Sequence, residues 1–108
     1  MTEELALKLA QLKAQELHYD QPVFFYKELW LNANQQTVVD LTDGFMFLVS
    51  ADSTVDLKSV TGNYNYKALL NGQNEYFHYG RINVRNAIGQ RAKLTYIEVL
   101  TKRSVPIN

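Results

Sequence analysis

The chain contains no cysteine, which excludes disulfide staples, thiolate metal sites and a cysteine nucleophile together. It is poor in histidine, with His18 and His78 alone, and its five glycines stand singly instead of forming a loop that could cradle phosphate. His18 and Asp20 could supply two metal ligands, but no second cluster completes a site, so neither a metal nor any other cofactor is expected. There is no Asn-x-Ser/Thr acceptor and no apolar run of membrane-spanning length. The opening Met1-Thr2-Glu3-Glu4 is acidic where a signal peptide is basic. A cytoplasmic protein without a membrane partner is the default expectation, and a protein carried in a virion would read the same way.

Catalytic groupings are equally scarce. Asp40 with Asp43, and Asp52 with Asp56, are paired carboxylates of the sort that do acid–base work, yet each lies where a turn aspartate serves local hydrogen bonding. None of the four serines is set in a nucleophile-elbow sequence. The expectation is a protein that is not an enzyme.

What is present is core-forming material. Of 108 residues, 46% are apolar and 12% aromatic, enough for one domain spanning 1–108 and too few residues for two. Eleven acids balance eleven bases, but unevenly along the chain. Residues 1–57 hold nine acids against Lys8, Lys13 and Lys27, and residues 58–108 hold eight bases against Glu75 and Glu98. Such a split either interleaves in the fold, supports head-to-tail association, or marks a face for a polyanion.

Residues 3–17 read as a helix: Leu5, Leu9 and Leu12 recur at helical spacing, Ala6, Ala10 and Ala14 raise propensity, and Thr2 is placed to cap. His18 is expected at the helix end. From residue 23 to residue 100 the pattern is β-rich, with turn signals every eight to twelve residues. Strand segments are expected at 23–31, 37–41, 45–50, 54–60, 64–70, 74–79, 81–87 and 91–100, a β-rich body of about seven short antiparallel strands. Asp43-Gly44, Asn71-Gly72 and Gly89-Gln90 are read as hairpin turns. Residues 101–108 read as a flexible arm. The fold class is α+β, an N-terminal helix followed by a meander, sandwich or small barrel.

Two strands, 23–31 and 45–49, are apolar on both faces. Each therefore needs cover on both sides, from within the chain or from a partner. Together with the charge split, the helix and a neutral stock of nine asparagines and seven glutamines, this favours a noncatalytic assembly module. Such a module is a homo-oligomer or a part docked on a larger complex, such as an accessory component of a phage-type particle. Phe24, Tyr26, Trp30, Arg81, Arg85, Arg91 and Arg103 are the candidate contact residues. An alternative is a single-stranded nucleic-acid binder using Tyr64, Tyr66, Tyr76 and Tyr79 as stacking platforms with Arg81 and Arg85 on the phosphates. A carbohydrate-binding module with Trp30 as its platform is a further alternative.

Overall fold

The computed structural model describes residues 2–51, 55–60, 62–66 and 76–101, without the side chains of 42, 43 and 62–66. The helix α1 spans Glu3–Glu16. Its strands are β1 (Val23–Leu31), β2 (Gln36–Ala51), β3 (Val55–Ser59), β4 (Gly62–Tyr66), β5 (Phe77–Asn86) and β6 (Ala92–Leu100). They form one antiparallel sheet in the order β1-β6-β2-β5-β3-β4. The α+β class with strands dominant is as the sequence reads.

The helix begins as expected, with Thr2 Oγ1 accepting from the Leu5 N–H at 3.2 Å and Glu3 and Glu4 in the positive first turn. It ends in a Schellman motif. The His18 N–H donates to the Gln15 carbonyl, the Tyr19 N–H reaches back to that of Ala14, and His18 takes φ 57°. The buried stripe is not the leucine one. Ala6, Ala10 and Ala14 are buried and Leu9 is partly buried against the same cluster, whereas Leu5 and Leu12 are about half exposed, at 48% and 52%. Alanines let the helix axis approach a sheet face that already carries Phe45, Phe47, Val49, Ile97 and Val99, and leucines there would hold it off.

The sheet curls until strands far apart in its order share one core. Leu31 of β1, Leu94 and Tyr96 of β6, Met46 and Leu48 of β2, Ile82 and Val84 of β5 and Val55 and Leu57 of β3 form a single inner cluster. The helix covers the outer face of β2 and β6. Phe45–Val49 is thus covered on both sides within the chain: Met46 and Leu48 point inward, Phe45, Phe47 and Val49 outward.

Two of the expected hairpin turns are not hairpins. Asp43-Gly44 does not reverse the chain but lies inside the 16-residue β2, where the register against β5 slips between Leu41 and Phe45. Gly44 is needed for close approach, because a Cβ there would strike the Val99 carbonyl. Opposite the slip stands Gly80, at φ 75°, inside β5. That strand runs unbroken where two strands, 74–79 and 81–87, were expected. Gly89-Gln90 joins β5 to β6, but these are not neighbours, since β2 lies between them. This end of the fold is fastened by Asn86, fully buried, instead of by a hairpin turn. Its amide donates to the carbonyls of Leu31, Asn32 and Gln90 at 3.3, 2.9 and 2.7 Å, and its Oδ1 accepts from the Ile88 N–H at 3.2 Å. The Asn71-Gly72 hairpin and the arm from residue 102, Arg103 included, lie outside the described residues.

Candidate functional site

β1 is the edge of the sheet, paired with β6 along its whole length from Val23↔Leu100 to Leu31↔Ala92. Among the described residues no strand pairs with its other side. The direction of its backbone groups follows from one bond elsewhere. The Leu48 N–H donates to the Tyr76 carbonyl, on the β5 side, at 2.8 Å. Consecutive strand residues aim their N–H and C=O at opposite neighbours, so Phe45 and Phe47 aim at β6, and their partners Val99 and Ile97 aim back. Tyr96, Glu98 and Leu100 then aim at β1, where they meet Lys27, Phe25 and Val23. Phe24, Tyr26, Glu28 and Trp30 are left with both backbone groups directed away from the sheet.

Side chains on β1 are unusually exposed for their chemistry. Phe25, Tyr26 and Trp30 are 41%, 49% and 46% exposed. By alternation Phe24, Tyr26, Glu28 and Trp30 share the outer face and Phe25, Lys27, Leu29 and Leu31 the inner one. Phe24 is partly buried in the helix-side cluster. The Tyr26 hydroxyl donates to Glu3 Oε1 of the helix at 2.9 Å. Partial burial, and after it this bond and the Glu3 charge, raise the Tyr26 phenol above its ordinary range. Trp30 carries the Arg91 guanidinium over its ring at 4.3 Å and the Lys93 ammonium at 5.4 Å. On the inner face Lys27 pairs with Glu98 at 3.3 Å.

The other expected contact residues lie elsewhere. Arg81 and Arg85 are exposed on the outer face of β5, each directly across from an acid: Arg81 from Asp40 and Arg85 from Asp56. The acidic and basic halves therefore interleave here instead of forming opposed poles. Tyr79 is exposed beside Arg81, but Tyr76 stacks on Phe47, with ring centroids 6.1 Å apart, and the side chains of Tyr64 and Tyr66 are outside the described set. Of the residues of the nucleic-acid alternative, Tyr79, Arg81 and Arg85 share the outer face of β5, and Tyr76 is turned against Phe47. For a sugar platform, the Trp30 ring already carries a guanidinium. His78 faces inward, fully buried, with Nδ1 3.0 Å from Ser59 Oγ. An open cleft of about 580 Å³ at the helix start is lined by Thr2, Glu3, Glu4, Tyr26, Val49 and Ser50. Among the described residues no three His, Asp or Glu side chains converge as metal ligands, and no described helix is long and apolar enough to cross a membrane.

Sequence reasoning singles out Tyr26 and Trp30 as candidates and says nothing of the backbone, whose outward groups on β1 face no strand among the described residues. No protein-family model, curated protein or solved structure matches the chain.

Proposed function

We propose that this chain is a noncatalytic assembly module that associates with itself through the outer edge of β1. The observation that supports this reading is a nine-residue edge strand whose alternate N–H and C=O groups face outward beside half-exposed aromatic side chains. Sheet edges of this length are usually blunted by proline, bulges or unpaired charge. Here the β1–β6 register runs without a slip, no proline interrupts the strand, and of its two charges Lys27 is paired with Glu98, which leaves Glu28 as the one charge without a described ion pair. Adding a strand to such an edge takes affinity from main-chain hydrogen bonds and selectivity from side chains on both faces.

Proline at Glu28 tests the proposal. It removes one outward N–H and leaves the bonds to β6 in place. Light scattering after size exclusion should show a defined oligomer for the parent and a lower mass for Glu28→Pro, with unchanged circular dichroism. A parent that is monomeric at every concentration would contradict the proposal.

A further inference from the structure

The proposal that β1 is an association edge leaves its occupant to be specified, and the strand's own chemistry does so. We infer that the occupant is a second copy of β1, antiparallel, about a two-fold axis passing beside Lys27. The inference rests on the reading above that the chain self-associates through this edge.

A two-fold axis normal to the sheet keeps the inner faces of both copies on one side and their outer faces on the other. Each residue then meets one of its own parity, which leaves only a few registers near the middle of the strand. Centred on Lys27, Phe24 meets Trp30 of the second copy and Tyr26 meets Glu28. Every outward N–H and C=O of both strands is then used. Centred on Tyr26, Trp30 would instead meet Pro22, which has no N–H to give. Centred on Glu28, Phe24 would meet Asn32, whose N–H is already donated to Gln35 Oε1 at 2.8 Å.

Charge and packing favour the same register. At the Glu28 centre two carboxylates that make no described ion pair would oppose each other. At the Lys27 centre each ammonium brings its own counter-ion, since Lys27 is held 3.3 Å from Glu98. On the inner face Phe25 then meets Leu29 and Val23 meets Leu31. On the outer face Phe24 meets Trp30, a large aromatic pair of the kind that stabilises neighbouring strands. The product is one continuous sheet through both copies.

The absence of cysteine makes the register readable, because any disulfide in a single-cysteine variant is intermolecular. Opposed residues of a pair that exchanges no hydrogen bonds lie about 4.5 Å apart at Cα, within disulfide reach. Under mild oxidation Lys27→Cys should become a covalent dimer, roughly tenfold more than Glu28→Cys, whose thiol would face Tyr26. A mixture of Phe25→Cys and Leu29→Cys should likewise give mostly the mixed disulfide. That second measurement decides the matter if Lys27→Cys loses its fold by circular dichroism. Cross-linking at Glu28→Cys in place of Lys27→Cys would overturn the register while self-association stood. A dimer by light scattering with no β1 cross-link would overturn β1 pairing and leave association through another surface. A parent monomer at all concentrations would overturn self-association itself.

Discussion

Asn86 fastens one end of this fold, although nothing around it in the sequence singles it out. It is buried with both ends of its amide engaged, and it joins the β1–β2 loop to the segment that leads into β6. Asn86→Ala takes a donor from the Leu31, Asn32 and Gln90 carbonyls, of which that of Asn32 keeps the Gln35 N–H, and an acceptor from the Ile88 N–H, so it should destabilise the chain by about 2–4 kcal/mol. In a thermal melt that is a fall of roughly 10–20 °C. A shift of only a degree or two would mean the loops are held by something else. Tyr96 gives a residue-scale dependence on pH. Burial first, and then the charge of Glu98, push its phenol above the ordinary value of 10.0. The unfolded chain releases that proton first, so the contribution of neutral Tyr96 is fully present below pH 10 or so. It is lost as pH rises through the raised folded value. Denaturant midpoints measured from neutral to strongly alkaline pH should therefore fall less steeply for Tyr96→Phe than for the parent. Parallel curves would show that Tyr96 is not part of the alkaline loss.

At the scale of elements, the helix and β1 are legible from the sequence, and β2 and β5 are not. Thr2, the acidic first turn and the aromatic run of 23–31 are local signals, and local signals locate those two elements to within a residue or so. Asp43-Gly44 and Gly80 carry the composition of turns, yet they serve non-local needs: a backbone crossing at Val99 and a slip in register. Periodicity likewise marks the leucines of α1 as its core face, because apolar spacing alone cannot weigh size. The sheet beneath is already filled by phenylalanines, so alanines take the centre of the contact and only Leu9 of the leucine stripe packs against it, partly buried. The two stripes make opposite predictions. Ala10→Leu should cost about 1–3 kcal/mol through overpacking, whereas Leu12→Gln should stay within about 0.5 kcal/mol. Urea unfolding of both variants separates the cases, and the reverse ranking would mean that the helix presents its leucines to the sheet. The candidate site was half legible for the same reason. Aromatic side chains on 23–31 mark the strand as a candidate, but which of its backbone groups are open depends on the strand order, with β6 inserted between β1 and β2.

For the whole molecule, the curled sheet explains why one doubly apolar strand is covered and the other is not. β2 runs through the middle of the sheet, with the inner cluster on one side and the helix on the other. β1 stands at the margin, where the helix reaches Phe24 and Tyr26 but leaves Trp30 and the outer backbone open. Across β5, Asp40 and Asp56 lie opposite Arg81 and Arg85, so part of the acidic half faces part of the basic half. Association is therefore expected to depend on main-chain pairing and apolar contact, and to persist when salt screens surface charge. Amide hydrogen exchange followed by NMR at rising protein concentration tests this most directly, because it reads each β1 residue separately. The account predicts that Val23, Phe25, Lys27 and Leu29, bonded to β6, are protected at every concentration. Phe24, Tyr26, Glu28 and Trp30 should exchange freely in dilute solution and become protected as the chain associates. If those four amides stay unprotected while the mass of the particle rises, the outer edge of β1 is not where the copies meet.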